Sequence, residues 1–417
     1  MSGMLFRVKN LGLIDEAEIK LDGITVITGE NNTGKSTIGR MLYCVNNVFV
    51  DGNIEAMKAK RLQRVIVYSA LEIAPPMQSI RKIEELISDS GAIKIILNKE
   101  ASVKEALSPI LLEFFGEAKD SHVELLESKI LEISDMSDQA VLSVLFDMVK
   151  DINFSGKVHN IYSENQLTEI ELEFINPDQY VEINVDQDLI NVSYENVVFE
   201  EAIYIDSPHI MRDKDRESIG SDFFLNMGNR LRLLQLLVDD SKVDFLLKQE
   251  ISLEIKKIFD KISEVAPGNL VKKDDFSNRL EYEEFGHRFD LINVSSGIKT
   301  FAILKKLLLN AKLKRNGMLI LDEPEIHLHP EWQLTFAEIL VLLKKQFNLK
   351  IIINTHSFYF LAAIEDYSKI HEIDQSCNYY LVERKENHSS VSDHTNTLNE
   401  IYLRFSEPMD ELENQVR

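Results

Sequence analysis

The stretch ITVITGENNTGKST, residues 24–37, decides how this chain is read. Ile24 to Thr28 form an apolar, β-branched run that reads as a buried strand. The next eight residues, Gly29 to Ser36, fit G-x-x-x-x-G-K-[ST], and a helix is expected from Ser36 to about Val50. The spacing has a physical reason. Gly29 and Gly34 let the backbone curl closely, so that several N–H groups converge on one anion. The helix N-terminus adds partial positive charge. Lys35 brings a compact cation to the β and γ phosphates, and the Ser36 hydroxyl is a hard oxygen suited to Mg²⁺. Together with Asn32, Thr33 and Thr37, these residues form an expected phosphate cradle, with ATP and Mg²⁺ as its expected ligands.

Three further segments gain meaning from that loop. In MLILDEPE, residues 318–325, four apolar residues make a buried strand and two carboxylates emerge at its end. Asp322 is placed to hold Mg²⁺, and Glu323 to take a proton from an attacking water. In NVSSGIKTFAIL, residues 293–304, Ser295, Ser296 and Gly297 precede an amphipathic helix expected from Thr300 to about Lys312. A hydroxyl, a glycine backbone and a helix start make a second anion-binding surface. The chain already owns one complete cradle, so this second one is expected to reach a γ-phosphate held by another copy. Alone, the segment would read as an ordinary helix cap. In IIINTHS, residues 351–357, His356 follows an apolar strand, where an imidazole can contact the γ-phosphate and orient water. Lys35, Glu323 and His356 are thus the expected catalytic groups.

Composition narrows the partners. The 417 residues carry 46 Lys and Arg against 69 Asp and Glu, a formal charge of −23. Such a surface opposes broad attraction to nucleic-acid phosphates or anionic lipid, while leaving room for a local basic groove. Two basic clusters exist: Lys58, Lys60, Arg61 and Arg64, and Lys305, Lys306, Lys312, Lys314 and Arg315. Both read first as solvated helix faces. Cys44 and Cys377 lack CxxC spacing and give no disulfide framework or zinc site. His327 and His329 lie close together without a third metal ligand nearby. No signal-peptide pattern and no long apolar run occurs, so a cytoplasmic protein without a membrane span is expected.

Along the chain, residues 4–28 read as two short strands followed by the buried one. Residues 54–150 have helical spacing broken at Pro75-Pro76, Gly91, Pro109 and Gly116, without heptads. Alternation at 168–174, 180–185 and 189–194 predicts an antiparallel meander, and AIYID at 202–206 another strand. Helical spacing returns from about Asp222 to Val265, a hairpin is expected over 269–292, and an acidic amphipathic helix over 396–415. The expected fold class is α/β: an ATPase head with a mixed sheet and antiparallel segment, carrying an inserted helical lobe. Its expected division is 1–53, the first half of the head; 54–155, the lobe; 156–210, the antiparallel segment; 211–292, helices and hairpin; and 293–417, the second half with an extension.

The four motifs, in this order, resemble the ABC-type ATPases of the RecF and structural-maintenance-of-chromosomes (SMC) branch. NVSSGIKTFAIL, LILDEPEIHLHPEWQ and INTHS, with the opening KNLGLIDEAEIKLDGITVITGENNTGKST, resemble more closely the ATPase half of the overcoming-lysogenisation-defect (OLD) proteins. The resemblance implies a homodimer, or a higher oligomer, with ATP sandwiched between copies. Gly29, Asn32, Gly34, Lys35, Ser36 and Thr37 would bind phosphate and Mg²⁺, and Ser295, Ser296 and Gly297 would act in trans. Asp322, Glu323 and His356 would be metal holder, base and sensor. The chain departs from the family at Ile298-Lys299, where Glu or Gln commonly follows glycine, and at His327-Leu328-His329-Pro330. Gln63 and Gln78 are candidates for the glutamine loop, and Arg7 and Asn10 lie near the expected base-binding side. From the length that follows His356, a head without a Toprim nuclease domain is expected. The resemblance is therefore to stand-alone ATPase subunits of anti-phage systems of the Septu, PARIS and retron-linked types. It implies a separately encoded effector, a nuclease or toxin, with DNA or a phage-derived molecule as trigger. A DNA-acting ATPase of repair or chromosome maintenance, and an ATP-dependent scaffold without turnover, are the alternatives.

Overall fold

A computed structural model describes residues 3–50, 53–73, 87, 90–108, 120–164, 166–187, 189–206, 228–239, 253–273 and 279–416. The chain divides into two compact units, Met1–Val50 with Phe146–Arg417, and Asp51–Leu145. The larger unit opens with β1 (Met4–Leu11), β2 (Ile14–Lys20), β3 (Ile24–Gly29) and α1 (Lys35–Val48). The smaller unit contains α2 (Asn53–Ile73), α3 (Ala92–Leu97), α4 (Val103–Ala106) and α5 (Asp120–Ser134), and α6 (Asp138–Phe154) leads back to the larger one. The smaller unit has its own core, including Leu62, Ile66, Ile96, Leu126 and Ile130. Ser102 and Glu105 form a reciprocal capping box at the start of α4. The expected breaks at Pro75-Pro76, Pro109 and Gly116, and Gln78, lie outside the described residues.

The larger unit continues with β4 (Leu167–Phe174), β5 (Tyr180–Asp186), β6 (Leu189–Glu195), β7 (Ala202–Ile205), α7 (Asn229–Val238) and α8 (Leu253–Val265). Then come β8 (Asn269–Lys272), β9 (Leu280–Glu284), β10 (His287–Asp290), α9 (Ser296–Leu309), β11 (Met318–Asp322) and α10 (Pro330–Phe347). The chain closes with β12 (Lys350–Thr355), α11 (Phe358–Ile370), β13 (Cys377–Lys385), β14 (His388–Asp393) and α12 (Leu398–Val416). Among the described residues the expected α/β class is present as an 11-stranded sheet, ordered β6-β5-β4-β1-β2-β14-β13-β3-β12-β11-β7. The antiparallel meander β4-β5-β6 extends from β1. Strands β13, β3, β12, β11 and β7 run parallel to one another, while β14 pairs antiparallel with β13.

This parallel block is what positions the site. Its strands are near-continuous apolar runs because helices cover the sheet; β3 is buried along its whole length. One core cluster joins Ile24 and Val26 to Leu319, Leu321, Ile351 and Ile353, and to Phe301, Phe336 and Phe360 on the helices. Parallel pairing brings the C-terminal ends of β3, β12 and β11 to one edge, where ligands bind in open parallel sheets.

Two findings depart from the sequence reading. The β13–β14 hairpin was not foreseen, yet β13 lies directly beside the loop-bearing strand β3. The expected hairpin at 269–292 is a three-stranded sheet, β10-β9-β8. Its Phe285-Gly286 turn has positive φ at both residues, 50° and 78°, as a tight primed hairpin turn demands. Cys44 and Cys377 are buried free thiols. Among the described residues, no helix is long and apolar enough to cross a membrane.

Candidate functional site

Gly29 ends β3 at φ 144°, and a Cβ there would sit 2.1 Å from the Val382 carbonyl oxygen of β13. Glycine is therefore required by the neighbouring strand as well as by the loop. Gly34 starts α1 at φ 98°, a conformation that other residues adopt only under strain. Lys35, the first residue of α1, folds back over the loop. Its ammonium donates to the carbonyls of Gly29 at 3.0 Å and Glu30 at 2.6 Å. The residue is only 4% exposed. Burial lowers its pKa to about 8 even though Glu323, Asp322, Glu325 and Glu30 oppose the shift. Thr33 is buried and donates to the Glu30 carbonyl.

Asp322 ends β11, two strands from β3. Its Oδ1 accepts from the Ser36 hydroxyl at 2.9 Å and the Asn354 amide at 3.0 Å; its Oδ2 accepts from the Tyr204 hydroxyl at 3.2 Å. Burial holds this carboxyl above the ordinary range, against the pull of those donors. Ser36 and Asp322 are 286 positions apart in the chain, and the sheet joins them. A half-buried carboxylate and a hydroxyl in contact are hard oxygen donors, which fits Mg²⁺, an ion that takes few protein ligands and keeps several waters.

Glu323 follows at φ 49°, an unusual conformation for a residue with a side chain. Its Oε1 lies 2.6 Å from His356 Nε2, and His356 Nδ1 lies 2.7 Å from the Gly29 carbonyl. A carbonyl only accepts, so Nδ1 is the donor in that contact, and Nε2 is the ring nitrogen that faces the Glu323 carboxylate. His356 thereby spans from the end of β3 to the end of β11. Lys35, Ser36, Asp322, Glu323 and His356 converge at one sheet edge.

Ser295 and Gly297 are placed elsewhere in the chain's own packing. Ser295 caps α9, its hydroxyl accepting from the Ile298 N–H at 3.4 Å. Gly297 packs so closely that an added Cβ would lie 3.1 Å from the Trp332 ring and 3.2 Å from the His327 carbonyl. Ser296 opens the helix and is half-buried. His329 serves as the cap of α10, accepting from the Glu331 N–H.

Arg7 and Asn10 are engaged elsewhere. Arg7 pairs with Glu18 and Glu173, and Asn10 donates to the Leu167 carbonyl and accepts from the Asn160 N–H. Gln63 lies on α2 in the smaller unit. The strand beside β11, β7, is followed by Asp206, which accepts from Arg230.

Four site residues escaped the sequence reading: Tyr204, Asn354, Glu325 and Arg384. Asn354 had a signal, an amide inside an otherwise apolar strand, and it is fully buried; Tyr204, 2% exposed, had none, since tyrosine is ordinary in a strand. Arg384 on β13 donates to the Asn32 carbonyl at 3.3 Å. That contact had no signal, because β13 was not foreseen.

The family profile described as "AAA ATPase domain" matches residues 4–361, and the chain belongs to that family. Solved structures similar to it are SMC heads. One is the SMC head domain from Thermotoga maritima, 12% identical, with a TM-score of 0.39, covering 94% of this chain and 99% of that one. A second is an SMC head bound to the C-winged helix domain of ScpA, 14% identical, with a TM-score of 0.45, covering 93% and 96%. A third is the SMC head with an extended coiled coil, bound to the C-terminal domain of ScpA, derived from Pyrococcus furiosus. It is 11% identical, with a TM-score of 0.41, and covers 100% of both chains.

Proposed function

We propose that this protein is an ABC-type ATPase that binds ATP and Mg²⁺ at the loop after β3, hydrolyses ATP, and completes each site with a second copy. The convergence of Lys35, Ser36, Asp322, Glu323 and His356 supports this reading. Ser36 and Asp322 would hold Mg²⁺, which would supply charge neutralisation for the bound triphosphate. Lys35 turns from the loop carbonyls to the phosphates. Glu323 takes a proton from the attacking water, and His356, fixed by the Gly29 carbonyl, holds Glu323 and the γ-phosphate in register.

Tyr204 sets the orientation of Asp322 from below. Tyr204→Phe removes one donor and keeps the ring, so the Mg²⁺ concentration for half-maximal turnover is expected to rise about tenfold, the usual scale for an outer-shell partner of a metal ligand. An unchanged Mg²⁺ titration would show that Ser36 and Asn354 suffice.

Ser295, Ser296 and Gly297 are assigned to the partner copy's γ-phosphate, as a capped helix start suits an anion. Ser296→Arg is expected to leave ATP affinity unchanged while abolishing turnover and ATP-dependent dimerisation, read by equilibrium binding, phosphate release and light scattering. Lost ATP affinity would place the segment in the chain's own site.

We further propose that the cycle gates a separately encoded effector, a nuclease or toxin, in bacterial anti-phage defence, in the cytoplasm. The resemblance of the motifs to defence ATPases and the acidic surface, suited to a basic partner, support this. Deletion of a neighbouring effector gene that left phage resistance unchanged would count against it. The basic clusters do not favour direct DNA binding. Lys305 is buried and caps the carbonyls of Ala266, Pro267 and Gly268. Lys312, Lys314 and Lys58 pair with Asp239, Glu200 and Asp138.

A further inference from the structure

Glu325 has no part in the chemistry above, yet it is only 6% exposed and lies in the turn that carries Glu323. Burying a carboxylate is costly unless donors compensate. Two do, both on Oε1: the Thr355 hydroxyl, and the His356 N–H at 3.0 Å. Oε2 is buried and has no hydrogen-bond partner among the described residues.

The contact belongs to a closed circuit. Thr355 Oγ1 accepts from the Ser357 N–H at 3.0 Å, and the Ser357 hydroxyl donates to Gln333 Oε1 at 3.0 Å. The Gln333 amide donates to the Leu328 carbonyl at 3.2 Å. The Leu328 N–H returns to the Glu325 carbonyl at 2.9 Å. The turn after β11 and the turn after β12 are thereby joined as one piece. His356 is the residue in that piece that faces Glu323.

We propose that Glu325 is the positioning residue for His356: by accepting from the His356 N–H and from Thr355, it fixes the imidazole where it meets Glu323 and the γ-phosphate. This rests on the hydrolytic reading of His356 and Glu323 given above. Backbone placement is the critical part, because a misplacement of about 1 Å at a reacting group costs about a hundredfold in rate. One oxygen makes both contacts, so an amide in the same place preserves them. If Glu325 acted through its charge on Lys35 instead, the amide would be as damaging as truncation.

The test compares Glu325→Ala with Glu325→Gln in the full chain. The first readout is the ring Cε1–H resonance of His356 in histidine-labelled protein, assigned by its loss in His356→Ala. It is expected to move in Glu325→Ala and to stay at the wild-type position in Glu325→Gln. The second is steady-state turnover. Glu325→Ala is expected to lower kcat tenfold or more, on the order set by such misplacement, with the KM for ATP changed less than about twofold. Glu325→Gln is expected to retain most of kcat. In a His356→Ala background, Glu325→Ala is expected to add no further loss, since residues acting through one another are not additive.

A stationary His356 resonance in Glu325→Ala overturns the proposal, as does a full multiplicative loss in the double variant or a Gln variant as poor as the Ala variant. Should Glu325→Ala not fold, Glu325→Met fills the space without an acceptor and carries the same readouts. If the wild-type protein shows no turnover, the ATPase reading fails, and the resonance alone decides the positioning role.

Discussion

Lys35→Ala is expected to weaken ATP binding by about two orders of magnitude or more. The ammonium offers hydrogen bonds to charged oxygens worth about 1.5–3 kcal/mol each, and two of them correspond to that loss. The substitution also removes the cation beside four carboxylates, Glu323, Asp322, Glu325 and Glu30, so the loop becomes more repulsive to a triphosphate. The pKa of about 8 gives a second readout. Burial depresses this lysine, so its charge is largely present at neutral pH and falls away as pH rises through 8. ATP favours the charged form; binding is therefore expected to take up protons above pH 8, visible by calorimetry in buffers of different ionisation heat. Wild-type affinity in Lys35→Ala, or no difference in proton uptake between the two proteins, would contradict the assignment.

Glu323→Gln is expected to reduce kcat by about 10²–10⁴-fold, the range of a general base, while ATP still binds. The amide keeps the size of the side chain but cannot take the water's proton. With hydrolysis blocked and both phosphate surfaces intact, the ATP-bound dimer is expected to accumulate, read as a mass near twice the monomer in light scattering with ATP. Unimpaired turnover would remove Glu323 from the role of base. A variant that neither hydrolyses nor dimerises would instead show that Glu323 is needed to hold His356, its partner at 2.6 Å.

Much of the site was legible because its parts are short and contiguous. A strand, a glycine loop and a helix start lie within 24–37, so the cradle follows from local conformation. The acidic pair after MLIL and the histidine after IIINT were legible for a similar reason, since each ends a run too apolar to be anything but buried. Tyr204 and Glu325 were not legible. Tyrosine in a strand and glutamate in a turn are ordinary; what distinguishes them is a partner far along the chain, Asp322 for the first and Thr355 with His356 for the second. The adenine-side candidates Arg7 and Asn10 have protein partners that were equally hidden. Arg7 alternates outward along β1 and meets the carboxylates of β2 and β4, a cross-strand pairing that no window around residue 7 contains.

The chain's own letters determined the chemical inventory: a glycine-and-lysine loop, two carboxylates, a histidine and a capped glycine helix start, each with its local conformation. Only the tertiary structure decided which groups meet. Asp322 and Asn354 are paired across β11 and β12. Asn354 and Ile27 are paired across β12 and β3. This register brings Ser36, Asp322 and His356 to a single edge. It arises from burying apolar strands between helices, a long-range balance of packing that short-range periodicity does not encode.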